Sequence, residues 1–193
     1  MPPHLFWIAI VSKYAFVLHA VLIGVGTTLI FDLWVRFAAR FLGGPQVNWA
    51  MPGRWFVYLL RGRFFHKTIA QSSPVPYELA IGWGFHYAVG VLFAAAAMIL
   101  GGPGWAQSPT WGPALFVGIS TVLCGWLILS PGLGFGIAGS AFPDANRRRL
   151  FQLLSHVVFG IGLYVCASLL RIDGLGCNLP ALIAARPAVG CFC

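Results

Sequence analysis

The stretch Leu79–Leu100, LAIGWGFHYAVGVLFAAAAMIL, holds no Asp, Glu, Lys or Arg and a single imidazole, His86. A hydrocarbon core of roughly 30 Å needs about 20 apolar residues of helix, and this run has that length. Upstream, Tyr14–Val35 reads the same way, and downstream so do Trp111–Leu129 and Leu150–Leu170. The pattern predicts an all-α polytopic membrane protein, a four-helix transmembrane bundle spanning residues 1–171 with a tail over 172–193.

Composition excludes a water-soluble globule. Hydrophobic residues make up 59% of the 193-residue chain and charged residues 8%, with a mean hydropathy of +0.84. An ordinary soluble domain carries about 25% charged residues to face water. Here lipid must contact most of the surface.

The net charge of +8 is unevenly placed. Arg36, Arg40, Arg54, Arg61, Arg63 and Lys67 lie between the first two spans, and Arg147, Arg148 and Arg149 between the last two. The loop over 101–110 has no Lys or Arg. This bias predicts that both basic loops are cytoplasmic and both termini outside. Topology and anionic lipid headgroups account for the basicity, so the expected partner is the lipid bilayer and no nucleic acid is called for. The start, MPPHLFWIAIVSKY, lacks a basic n-region and a small-residue cleavage site, which predicts an uncleaved first span.

The first basic loop contains Trp49–Phe65, WAMPGRWFVYLLRGRFF. Aromatic and basic residues interleave as in an amphipathic helix lying in the interface, with Arg54, Trp55, Arg61 and Arg63 among the headgroups. A gate or partner-docking element is the alternative reading. Trp105 and Trp111 flank the short loop as interfacial belt residues.

Beyond the third span comes SPGLGFGIAGSAFP, Ser130–Pro143. Gly134, Gly136 and Gly139 fit GxGxxG, but no strand precedes them and no βαβ unit surrounds them, so a dinucleotide site is not assigned. Pro131, Gly134, Gly136 and Gly139 are candidates for a gate or a re-entrant segment, the bland reading being a turn at the interface.

Four ionisable residues sit in or beside the spans: Asp32, Glu78, His86 and His156. A charge near the bilayer centre costs about 2.5–3.5 kcal/mol on insertion scales, so such residues usually serve a purpose. Helical rise puts Asp32 about 6 Å from Arg36, His86 about 12 Å from Glu78, and His156 about 10 Å from Arg149. Asp32, His86 and His156 then share one layer in the cytoplasmic half, with Glu78 nearer water. Gly82, His86 and Gly90 recur at every fourth position and so share one face, a small-xxx-small stripe with a polar centre. The layer can be an interhelical hydrogen-bonded cluster, a proton or substrate pathway, or a metal or haem site. No His-x-x-x-His pair or adjacent acid–His motif occurs on one helix, so no metal and no cofactor is assigned. Asp32 can also pair with Arg36 on its own helix. Tyr87 and Tyr164 read as interfacial hydroxyls, with joining the polar cluster as the alternative, and His66 reads as a solvated loop residue.

Cys124 and Cys166 fall in spans and read as core. Cys177, Cys191 and Cys193 lie in the tail, where an oxidising exterior would permit a disulfide from Cys177 to one of the other two.

The runs GVGTTLIFDLW (24–34), GRWFVYLLRGRFFHKTIA (53–70), YELAIGWGFHYAVG (77–90), SPGLGFGIAGSAFP (130–143) and LLSHVVFGIGLYV (153–165) carry a resemblance. Together they resemble a family of small four-span bacterial inner-membrane proteins known as a domain of unknown function, over about residues 17–171. The resemblance implies the fold and the inner membrane and carries over no catalytic residue. The residues themselves predict a small permease-like or channel-like protein, as a homo-oligomer or in a larger membrane complex. The alternative is a non-enzymatic accessory or assembly subunit. A membrane enzyme ranks third, because no Ser/His/Asp order or paired catalytic carboxylates occur.

Overall fold

The computed structural model describes residues 3–172, and side chains over 13–171. Among the described residues five helices carry the fold and no strand occurs. They are α1 (Pro3–Phe41), α2 (Ala50–Leu60), α3 (Glu78–Gly101), α4 (Trp111–Leu133) and α5 (Ala145–Ile172). Four of these, α2 excepted, are long and apolar enough to cross a membrane, so this is a multi-pass membrane protein. Cys177, Cys191 and Cys193 lie outside the described residues.

Each helix outruns its apolar stretch, because backbone hydrogen bonding continues past the point where hydropathy falls. α1 ends where Gly43 takes a φ of 65° and Pro45 follows. α4 ends at Leu133 rather than Leu129. Residues Gly125–Leu129 wind as one π turn, and the helix then continues through Pro131. A proline cannot donate to the carbonyl four residues back, and the wider turn just before it absorbs the misfit. Gly134, with φ 82°, then closes the helix: its N–H donates to Pro131 O at 3.0 Å and that of Phe135 to Ser130 O at 2.9 Å. A Cβ at Gly134 would strike the carbonyls of His66 and Lys67.

The spanning helices form a ring in which α1 packs on α3 and α5, and α4 packs on α5 and α3. Lipid gives apolar helices no reason to prefer each other, so close backbone approach and dispersion must hold them together. Glycine makes that approach possible at three crossings. Gly24 on α1 lies against Gly90 and Val91 on α3. Gly118 on α4 lies against the Gly160 backbone on α5, and Gly26 and Gly162 let α1 meet α5 at Cys166 and Thr27. α2 packs on α3 through a fourth such contact, Gly53 against Glu78 O and Gly82 against Trp49 O.

Two apolar cores result. One joins Ala20, Ile23, Ala94, Ala97, Phe159 and Leu163, with Trp105 closing the end near the 101–110 loop. Trp105 is thus 4% exposed and donates to Thr110, whereas Trp111 is exposed and stacks on Tyr164 at 3.8 Å. The other core, at the basic end, gathers Trp55, Ile69 and Leu133 with Phe56, Phe64, Phe85 and Phe135 around them.

Gly118→Val is expected to lower stability by about 1–3 kcal/mol or more, since its branches would have to displace the backbone of Gly160 and the His156 carbonyl. Gly84→Val, on the same bundle where a Cβ meets nothing within 4 Å, should change it little. Thermal unfolding of both variants in one detergent separates the two outcomes.

Candidate functional site

On α3 the stripe Gly82–His86–Gly90 turns three successive helical turns toward three different neighbours. Gly90 receives Thr28 of α1, whose hydroxyl donates to Gly24 O at 2.7 Å. One turn away His86 reaches Asp32, and one turn further Gly82 receives the Trp49 carbonyl. His86 Nε2 lies 3.0 Å from Asp32 Oδ1, and the Tyr87 hydroxyl donates to Asp32 Oδ2 at 3.1 Å. Both carboxylate oxygens are therefore engaged, and Asp32 is only 5% exposed. Trp49 stacks on the His86 ring with centroids 3.8 Å apart and planes at 25°. Arg36 does not pair with Asp32; its guanidinium lies over the Trp83 ring at 5.9 Å.

His156 on α5 stands across Phe31 from His86, ring centroids 6.1 and 5.6 Å from that phenyl. Its Nδ1 lies 3.1 Å from Gly118 O and 3.1 Å from Thr121 Oγ1. Near it Trp34 Nε1 donates to Ser155 Oγ at 3.0 Å, and Trp126 Nε1 to Gln152 Oε1 at 2.8 Å. His86 and His156 both line a cavity of about 660 Å³ between the two cores. Its walls come from all five helices, and the π turn of α4 contributes Gly125, Ile128 and Leu129.

Of the four predicted polar residues, the fold joins Asp32 to His86 directly and brings His156 to the same cavity. Glu78 stands apart. It forms a two-pronged pair with Arg54, both contacts at 2.8 Å, and accepts the Val75 N–H at 3.1 Å. Arg54 also donates to the carbonyls of Ile69 and Ser72, at 3.2 and 2.8 Å. The Glu78 hydrogen bond raises the Arg54 guanidinium above its ordinary pKa.

This corrects the reading of Arg54 and Trp55 as headgroup residues. Arg54 fastens α2 and the following loop to α3, and Trp55 is 3% exposed, donating to Phe64 O at 2.9 Å. Arg61 and Arg63 are exposed, each beside the Tyr58 ring. His66 is buried, not solvated: its backbone N–H and its Nδ1 each lie 3.1 Å from Gly132 O. Pro131 lies inside the last turn of α4 and Gly134 caps it. Gly136 and Gly139, with φ of 72° and 69°, shape a tight turn held by Arg149 Nε donating to Ala138 O at 3.0 Å.

Sequence reasoning missed Trp49, Phe31 and Gln152, and it preferred the interface for Tyr87 over the cluster that its hydroxyl joins. Tyr87 follows His86 directly, the one signal that could have enrolled it. The others come from separate segments, Phe31 on α1, Trp49 just before α2 and Gln152 on α5, and meet only in the fold. Among the described residues no three His, Cys, Asp or Glu side chains gather as ligands for one metal ion.

The family described as protein of unknown function, DUF2938, matches residues 21–170. The chain belongs to this family. The DUF2938 match takes in the Asp32–His86 pair, the Arg54–Glu78 pair, the π turn and His156. No curated protein and no solved structure matches the chain.

Arg54→Ala is expected to free the 61–77 segment from α3, leaving Glu78 half-buried and unpaired at a cost of about 1–3 kcal/mol. Limited proteolysis should then cut within that segment faster than in wild type, while cleavage elsewhere is unchanged. Arg54→Lys should not restore protection, because an ammonium cannot reproduce the two-pronged geometry.

Proposed function

We propose that this protein is a small permease-like membrane protein whose binding site is the cavity walled by His86 and His156. Asp32 acts behind the wall as the ionisable group coupled to that site. The observation that carries this reading is the Asp32–His86–Tyr87 cluster opening on a cavity of about 660 Å³ between two packed cores. The Asp32 carboxylate and the His86 imidazole, 3.0 Å apart on two helices, can pass a proton between them, and such groups inside a membrane mark substrate and ion paths. The π turn in the cavity wall adds support, since such turns recur at functional sites in helices.

In this reading the protein works in the bacterial inner membrane, its basic loops in the cytoplasm and its termini outside, as the Arg distribution favours.

Purified protein in vesicles loaded with a pH-sensitive dye should move protons together with one solute class. Asp32→Asn should abolish that flux while the amount inserted in the membrane stays at the wild-type level. Wild-type flux in Asp32→Asn, or a second protein retained in fixed ratio through mild-detergent purification, overturns the reading in favour of an accessory subunit.

A further inference from the structure

The hydrogen bonds around the two cavity histidines fix which ring nitrogen carries the proton, and with it what a ligand must offer. The Thr121 hydroxyl donates to Gly118 O at 2.8 Å, so its oxygen can only accept from His156. Gly118 O is also an acceptor. His156 Nδ1, 3.1 Å from both, therefore bears the hydrogen, and in the neutral ring Nε2 is a bare acceptor. The same logic holds at His86. Asp32 Oδ1 accepts from Nε2–H, which in the neutral ring leaves Nδ1 as the bare nitrogen. Neither His156 Nε2 nor His86 Nδ1 has a protein partner among the described residues, and neither is sealed from open space, while both rings line the cavity. The site thus presents two acceptors and asks for a donor.

The rest of the wall specifies what that donor is attached to. Phe31, Phe85, Phe93, Phe159 and Ile128 are typical of the lining. Arg148 is the one Lys, Arg, Asp or Glu side chain on it among the described residues, and it is already paired with Asp144 at 2.7 Å and laid over Phe142 at 4.1 Å. That pairing holds the Asp144 carboxyl below its ordinary range. A permanently charged solute would enter with no free counter-ion, at a large desolvation cost. The wall also has an edge toward lipid. Leu92 on α3 and Ile128 on α4 line the cavity yet are 65% and 46% exposed, and Cys124 beside them is exposed too.

We infer that the cavity binds an uncharged apolar molecule bearing a hydroxyl, a long-chain alcohol or an apolar phenol, which enters from the bilayer between α3 and α4. Its O–H donates to His156 Nε2 or His86 Nδ1, and its body lies along the phenylalanines. The inference rests on the reading of this cavity as the binding site and names the substrate class.

The test uses a long-chain alcohol carrying a photoactivatable diazirine in its chain, with the purified protein in phosphatidylcholine vesicles and labelled peptides mapped by mass spectrometry. Labels should fall on the α3 and α4 segments around Leu92, Cys124 and Ile128. Unlabelled alcohol should displace them at concentrations about tenfold lower than its methyl ether, which has the same body and no donor. In His156→Phe and His86→Phe the preference should shrink while competition by the ether is unchanged. Equal competition by alcohol and ether in wild type, or labels spread over the outer helix faces without saturation, overturns the inference. The two proposals fail separately. A hydrophilic solute that drives Asp32-dependent proton flux, with no saturable labelling, sinks this inference and leaves the permease reading. Saturable, hydroxyl-dependent labelling with no coupled flux upholds this inference and sinks the permease reading.

Discussion

The hydrogen bond between His86 Nε2 and Asp32 Oδ1, 3.0 Å long, depends on a contact one helical turn away. There α1 and α3 approach so closely that a Cβ at Gly90 would collide with the Thr28 hydroxyl, and one at Gly24 with the Val91 backbone. That approach carries Asp32 to His86. A carboxylate buried in a membrane must find donors, and His86 and Tyr87 provide one for each oxygen. On the other side of His86, the contact at Gly82 admits the Trp49 carbonyl and sets Trp49 flat on the imidazole. Two glycines, one turn above and one below, thus hold a polar side chain that lipid alone would not tolerate.

The same economy of space explains the cavity. At the end near the 101–110 loop the ring closes on alanines, with Ala94, Ala97 and Ala114 each wholly buried. At the basic end the filling is done by a separate unit. α2 and its loop bring Trp55 and Ile69 under the bundle, fastened by Arg54 on Glu78 and by His66 on Gly132. Between these two solutions the helices are not matched side chain to side chain, and α4 relaxes into a π turn. The room left there is what His86 and His156 share.

How much of this was legible follows from where each signal resides. The stripe Gly82–His86–Gly90 lies on one helix, so its period announced a polar-centred packing face, and helical rise put His86, His156 and Asp32 near one level. Arg54 and Trp55 misled because the composition of a lipid-facing amphipathic helix and of a helix packed under a bundle is the same; only the partner differs. His66 misled for a similar reason, its acceptor Gly132 being far away in the chain. The extension of α4 through Pro131 depended on a change of helical pitch that no local pattern marks.

By itself the sequence determined that four stretches among the described residues are long and apolar enough to cross a membrane, because hydropathy and helical length are local sums that need no partner. It likewise determined that glycine faces and buried polar groups would govern the packing. Only the tertiary structure decided that Asp32 chooses His86 and Tyr87 over Arg36, and that Glu78 belongs to Arg54. It also decided that the two histidines line one cavity. Those choices depend on distances between helices, and such distances are set by backbone contacts at Gly24, Gly90, Gly118 and Gly160 that exist only once the helices have met.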